Sequence, residues 1–165
     1  MRCAVVTGNP KPRSRTLEAA VLVAEKLTGT EPDVVVDVVD LGAGLLGWGD
    51  PAVTEAVESV RSCDLAVFAS PTYKAAYTGL LKLFLDQIPS DGLAGVVAVP
   101  LMLGAGPGHF LAPEVTLKPV LVELGATCPT KGLYLLDSSY AEAASLDPWL
   151  PGALRQLEPW IGVRA

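Results

Sequence analysis

Short apolar runs alternate with helix-period segments from one end of the chain to the other, the pattern of a parallel sheet covered by helices on both faces. The first run, Cys3 to Thr7, breaks at Gly8 to Arg15 and leads into Thr16 to Thr28. There Leu17, Ala20, Val21, Ala24 and Leu27 share one helical face, with Glu18, Glu25 and Lys26 off it. Val34 to Val39 reads as a second strand, Pro51 to Ser62 as a helix with proline in its first turn, and Leu65 to Ala69 as a third strand. A helix over Ala76 to Ile88 follows, and Val96 to Leu103 is a fourth strand. A glycine-rich turn, a helix from Phe110 to Leu124 and a fifth strand over Lys131 to Leu136 come next. Asp147 to Ile161 reads as a last helix, its limits blurred by Pro148, Pro151 and Pro159.

Five strands joined by helices in 165 residues suit a single domain, residues 1–165, with the flavodoxin-like doubly wound α/β sheet of order 2-1-3-4-5. No internal repeat or linker divides the chain. In such a sheet ligands sit at the carboxyl ends of the strands, beside strands 1, 3 and 4. Three segments are therefore the place to look for chemistry: Gly8 to Thr16, Ser70 to Tyr77, and Gly104 to His109.

Composition removes several other functions. Half of the residues are hydrophobic and the net charge is -6, so the chain can fill a core and its surface repels nucleic-acid phosphates. The mean hydropathy of +0.41 is high, and Leu93 to Pro113 carries no Asp, Glu, Lys or Arg. A membrane span is nonetheless rejected, because Pro100, Gly104, Gly106, Pro107 and Gly108 interrupt that stretch and Asp91 and Glu114 flank it. The opening apolar run ends at Gly8, too early for a signal peptide, which points to the cytoplasm. Cys3, Cys63 and Cys128 form no paired spacing, and His109 is alone, so neither a disulfide framework nor a metal centre is expected. No G-x-S-x-G elbow occurs.

The first loop, Gly8-Asn9-Pro10-Lys11-Pro12-Arg13-Ser14-Arg15-Thr16, sets three basic residues before a helix start. Free backbone N–H groups, the positive end of the helix dipole, Ser14, Thr16 and an arginine fork together suit a phosphate. The second glycine and the lysine of a P-loop are absent, which disfavours nucleoside triphosphate hydrolysis. The plainer alternative is solvated arginines with Ser14 or Thr16 as a helix cap. A literal G-x-G-x-x-G at Gly42, Gly44 and Gly47 follows the second strand rather than the first, and Trp48-Gly49-Asp50-Pro51 prevents a helix behind it, so it reads as a loop. The second loop leaves its strand through Pro71 and offers backbone and the Tyr73 ring to a flat heterocycle, or else is an ordinary turn with Tyr73 and Tyr77 packed. In the third, Gly104-Ala105-Gly106-Pro107-Gly108-His109, glycines allow close backbone approach. His109 is a ligand-lining residue or simply a cap or core residue.

The segment from Gly8-Asn9-Pro10 through Ser14-Arg15-Thr16, the stretch Ser70-Pro71-Thr72-Tyr73-Lys74-Ala75-Ala76-Tyr77-Thr78-Gly79-Leu80-Leu81-Lys82, and Leu117-Lys118-Pro119-Val120-Leu121 together resemble the NADPH-dependent FMN reductase family. Within it they are most similar to the flavin reductases of two-component alkanesulfonate monooxygenases. The resemblance covers about residues 2 to 136 and is weak after Asp137. It implies hydride transfer from NADPH or NADH to N5 of FMN, with reduced FMN passed to oxygen, a quinone or a flavin-dependent monooxygenase. It further implies that Asn9, Arg13, Ser14, Arg15 and Thr16 hold the FMN phosphate. Pro71, Thr72, Tyr73 and Lys74 would contact the isoalloxazine, with Gly104, Ala105 and Gly106 on its pyrimidine side. A quinone, azo or metal-ion reductase, or a flavodoxin-type electron carrier, would share the fold; the cationic loop favours a reductase.

Two further expectations concern assembly and flavin retention. The Ala76 to Ile88 helix carries Ala76, Tyr77, Leu80, Leu81, Leu83, Phe84, Leu85 and Ile88 over an arc wider than one buried stripe needs, which points to a homodimer or dimer of dimers. Relatives serving monooxygenases often carry a tyrosine or histidine where this chain has Val115 after Glu114. The resemblance therefore implies a regular fourth helix, kinked only at Pro119, and FMN retained rather than released.

Overall fold

The protein is described by a computed structural model covering residues 1–161. Its five strands are β1 (Cys3–Thr7), β2 (Val34–Asp37), β3 (Leu65–Pro71), β4 (Val97–Gly104) and β5 (Leu133–Leu136). They form one sheet of order β2-β1-β3-β4-β5, every neighbouring pair parallel, as the alternating pattern predicts. The helices are α1 (Arg15–Thr28), α2 (Pro51–Arg61), α3 (Gly79–Leu85), α4 (Lys118–Glu123) and α5 (Leu150–Ile161).

Strand residues alternate between two cores because successive side chains leave opposite faces of a strand. Ala4, Val6, Ala66, Phe68, Ala98 and Met102 face α2, α3 and α4, while Cys3, Val5, Leu65, Val67, Val99 and Leu101 face α1 and α5. Pro100 sits inside β4 without breaking the ladder. The Ala98 N–H points toward the β5 side, to Thr127, so by the two-residue alternation the missing Pro100 donor faces that side too. There the β5 ladder begins only at Leu101. No described helix is long and apolar enough to cross a membrane.

The starts of α1, α2 and α3 follow side-chain caps. Ser14 Oγ accepts from the Leu17 N–H at 3.3 Å, Asp50 Oδ1 from Ala52 and Val53 at 3.0 and 3.1 Å, and Thr78 Oγ1 from Leu81 at 3.1 Å. The Thr78 cap starts α3 three residues later than the hydrophobic pattern predicts, since Tyr73 and Ala76 pair with each other first. Much of the wide apolar arc is consumed internally: Leu81, Phe84, Leu85 and Ile88 are buried in this chain's own core, with Leu80 and Leu83 packed at its margin. The second strand is also shorter than expected, because Val38–Leu46 winds as 3-10 turns broken at Gly42.

The segment after β4 departs most from expectation. In place of one helix from Phe110, it forms a 3-10 turn at Pro107–His109, a π-helical turn over Pro113–Leu117, and then α4. The Lys118 N–H donates to Pro113 O five residues back, and Pro119 has no N–H with which to continue the ladder. Thr116 Oγ1 donates to Ala112 O at 2.6 Å, and Glu114 clamps the turn to the β5 side by accepting from Lys118 Nζ at 2.8 Å and Gly132 N–H at 2.6 Å. Burial alone would raise the Glu114 carboxyl, but these donors outweigh it and hold the group below its ordinary value. The regular fourth helix is thus corrected, and with it goes the ground for reading FMN as retained.

The joint between β1 and α3 leaves no room for a side chain. A Cβ on Gly8 would lie 2.3 Å from Leu81 Cβ and 2.7 Å from Leu81 Cα. Gly8→Ala is expected to lower stability by about 1–3 kcal/mol, as overpacking does. Chemical denaturation should show this as a reduced midpoint; an unchanged midpoint would mean the strand and helix separate freely.

Candidate functional site

The three loops singled out by the sequence meet at the carboxyl ends of β1, β3 and β4, and hydrogen bonds tie them into one rim. The Gly8 N–H donates to Ala69 O at 2.9 Å, while Thr78 Oγ1 donates to Gly8 O and so joins the first loop to the second. The Thr72 N–H donates to Leu103 O at 2.7 Å, joining the second loop to the end of β4. Arg15 and Asp137 close the circuit: Arg15 Nη1 donates to Asp137 O at 3.0 Å, and the Asp137 N–H donates to Gly104 O at 3.0 Å.

In the first loop Asn9 spans the turn, donating from Nδ2 to Thr16 Oγ1 at 3.0 Å and accepting from the Lys11 N–H at 3.0 Å. Ser14 and Thr16 are each 2% exposed, and each hydroxyl oxygen accepts a bond while its O–H has no acceptor among the described residues. Both hydroxyls are thus left with a proton to donate at the start of α1. Arg13 adopts φ 48°, a left-handed conformation held by its N–H on Asp37 Oδ2 at 2.9 Å. The arginines are not simply solvated: Arg13 pairs with Asp40 at 3.1 Å, and Arg15 with the Asp137 carboxylate at 3.4 Å.

The second loop is a two-residue turn between Tyr73 and Ala76, which exchange backbone hydrogen bonds of 2.9 and 3.2 Å. Both central residues lie at positive φ, Lys74 at 52° and Ala75 at 67°, where asparagine and glycine would be at ease. Tyr73 is 53% exposed, so it is a surface ring rather than a packing residue, whereas Tyr77 is half-buried against the core. Ser70 Oγ donates to Pro71 O at 2.8 Å and accepts from the Thr78 N–H at 2.9 Å, fixing both ends of the turn.

The third loop is braced by Tyr134, whose hydroxyl donates to Gly106 O at 2.7 Å. A Cβ on Gly104 would lie 1.8 Å from that hydroxyl, so glycine is what admits the brace. Ala105 and His109 are exposed, which sets His109 at the rim and removes its reading as a core residue. The Gly42, Gly44 and Gly47 pattern lies in the 3-10 stretch and the loop behind it, with α2 opening only at Pro51.

Among the described residues, four buried side-chain atoms lack a hydrogen-bond partner, and three of them, Thr7 Oγ1, Asp37 Oδ1 and Thr72 Oγ1, sit at the carboxyl ends of β1 and β2 and just past β3. Orphaned polar atoms gathered at one edge of a sheet fit a polar ligand that completes them. Burial pushes the Asp37 carboxyl above its ordinary value; the Arg13 N–H opposes this and the Asp40 charge adds to it. Burial pushes the thiols of Cys3 up to about 12 and Cys128 up to about 11, and raises that of Cys63, which disfavours their thiolate forms. Sequence reasoning missed Asp37, Asp40, Thr78, Tyr134 and Asp137. A search that included the end of the second strand, β1's other neighbour, would have found the first two.

A model of the family described as NADPH-dependent FMN reductase matches residues 1–141. An FMN reductase (NADPH) from Escherichia coli is 30% identical over 96% of this chain and 85% of its own. An NADH-dependent FMN reductase, SfnF, from Pseudomonas putida is 26% identical over 90% of this chain and 84% of its own. The solved apo form of an NADH:FMN oxidoreductase superposes with a TM-score of 0.80 at 30% identity, covering 96% of this chain and 87% of that one.

The left-handed turn at Lys74-Ala75 gives a direct test of stored strain. The double substitution Lys74→Asn with Ala75→Gly is expected to raise stability by about 1 kcal/mol or more, since each residue now holds a conformation that costs it free energy. A thermal melt with an unchanged or lower midpoint would show that the loop is not strained.

Proposed function

The chain belongs to the NADPH-dependent FMN reductase family, and from that premise we propose how its residues serve the reaction. The activity is reduction of FMN at the expense of NADPH or NADH. When bound, FMN supplies the hydride acceptor, N5 of its ring system. The protein's own part is to hold, orient and shield.

The first loop holds the flavin phosphate: Ser14 and Thr16 donate their unused hydroxyl protons, the first N–H groups of α1 add the dipole, and Arg13 and Arg15 add charge, with Asn9 keeping the turn closed. Pro71, Thr72 and Lys74 present backbone to the edge of the ring system, and the exposed Tyr73 ring lies alongside. Gly104, Ala105 and Gly106 form a flat approach to its pyrimidine side, held in place by Tyr134, with His109 at the outer rim. Backbone N–H groups there suit the negative charge that grows on that side during reduction. Hydride transfer to the flavin requires no side-chain acid or base. The observation that carries the reading is the joining of three loops into one rim beside three orphaned buried polar atoms.

A single domain in the cytoplasm, handing reduced FMN to a monooxygenase, a quinone or oxygen, completes the proposal. Among alternative acceptors, quinones, azo compounds and metal ions would use the same hydride step; a flavodoxin-type carrier would not turn over NAD(P)H. Pairing of two chains, or of two dimers, is supported less by α3 than by the segment after β4. There Phe110, Leu111, Val115 and Val122 are 63, 54, 62 and 53% exposed.

Three measurements test this. NAD(P)H oxidation should depend on added FMN; oxidation driven only by a quinone would shift the assignment to the alternative acceptor. Arg13→Ala with Arg15→Ala should weaken FMN binding at least about tenfold while leaving phosphate-free riboflavin unchanged, the size expected for charge-assisted bonds. Equal losses for both flavins would remove the phosphate from this loop. Light scattering should return at least twice the 17.2 kDa chain mass at micromolar concentration, and a monomer would refute the assembly.

A further inference from the structure

The first loop looks cationic in sequence and is not so in the fold. Lys11, Arg13 and Arg15 supply three positive charges, and three carboxylates, Asp37, Asp40 and Asp137, hydrogen-bond to that same loop or pair with its guanidinium groups. The carboxylates do not share one task. Asp37 is buried and takes the Arg13 backbone N–H, so it shapes the loop. Asp40 and Asp137 instead take the two guanidinium groups themselves. Their side chains are 51 and 34% exposed, against 73 and 61% for Arg13 and Arg15, so both pairs lie in solvent at the mouth of the loop.

We propose that Asp40 and Asp137 set the phosphate affinity of the site by competing with the flavin phosphate for Arg13 and Arg15. The inference rests on the assignment of this loop to the flavin phosphate. An exposed ion pair is weak and exchanges readily, so a phosphate dianion with three acceptor oxygens displaces it. The displaced carboxylates stay nearby, Asp137 held by its own N–H on Gly104 O, and repel the dianion. Phosphate binding therefore gains only the difference between two anions on each guanidinium. The arrangement favours FMN over uncharged riboflavin by less than two arginines at a helix start would if unpaired, and it suits a flavin that comes and goes. Asp137 places this control just past β5, still within the residues that the family model matches.

The test is flavin binding by fluorescence quenching, with FMN and riboflavin, on the full chain. Asp40→Asn with Asp137→Asn keeps size and hydrogen-bonding shape while removing both charges, and should bind FMN about tenfold more tightly, from a few-fold at each exposed pair. Riboflavin affinity should not change, and added salt should narrow the gain. Asp40→Glu with Asp137→Glu, which retains both charges, should stay near the wild-type affinity. FMN binding that is unchanged or weaker in the Asn variant, with riboflavin still bound, overturns the proposal, because the carboxylates would then position the arginines rather than compete for them. A tighter hold on both flavins also overturns it, since the effect would not act through the phosphate. The single variant Asp40→Asn, at a half-exposed side chain, gives the same reading if the double variant is unstable. If Arg13→Ala with Arg15→Ala leaves the preference for FMN over riboflavin intact in the parent chain, it is the phosphate assignment that has failed.

Discussion

The Gly8 backbone is pressed against the first turn of α3, and most of the site follows from that contact. With no Cβ at Gly8, the end of β1 lies close enough for Thr78 to donate to the Gly8 carbonyl while capping α3 with the same oxygen. One threonine hydroxyl thus serves as helix cap and as the link between two loops. The cap position in turn sets where α3 begins, leaving Ser70 to Tyr77 outside the helix to form the Tyr73 turn. The remaining loops are joined more lightly, by single backbone bonds from Thr72 and Asp137, so the rigid part of the rim lies between β1 and β3.

Hydride transfer between two ring systems asks little of side-chain acids and bases, and the polar side chains at these strand ends hold the loops in place. The strain at Lys74 and Ala75 belongs to that placement: a left-handed turn built without asparagine or glycine persists because Ser70, Thr72 and Thr78 hold both of its ends. Tyr134 does the same for the third loop from the far side of β4. Charge is handled with equal economy. Around the first loop the fold sets Asp37, Asp40 and Asp137 against Lys11, Arg13 and Arg15, so what the loop offers a ligand lies mainly in its hydroxyl and backbone donors rather than in net field.

The fourth helix shows how one residue reshapes a segment whose hydrophobic pattern reads as uniform. Pro119 withholds a backbone donor, the turn ahead of it opens to π geometry, and Glu114 with Lys118 secures that turn to the strand side. The exposed apolar residues nearby, Val115 and Val122 among them, stand on this altered segment rather than on α3. Much of the apolar arc of α3 is used within the chain, where Leu81, Phe84, Leu85 and Ile88 are buried and the 3-10 stretch after β2 packs against the helix.

By itself the sequence determined the five parallel strands and their order, since continuous apolar runs separated by helix-period segments allow little else, and it located the three loops at the strand ends. Those are consequences of local periodicity and of right-handed crossovers, which a single chain carries in its residue order. Only the tertiary structure decided which carboxylates meet the arginines. Asp40 lies 27 positions from Arg13, and Asp137 lies 122 from Arg15. Tyr134 reaches Gly106 across 28, and Thr78 reaches Gly8 across 70. Such pairs leave no periodic trace, because a polar side chain at a strand end looks the same in sequence whether it faces water, a cation or a backbone carbonyl. The π-helical turn belongs to both: Pro119 is legible as a break in the hydrogen-bond ladder, but the form the break takes depends on Glu114 finding Gly132 across the fold.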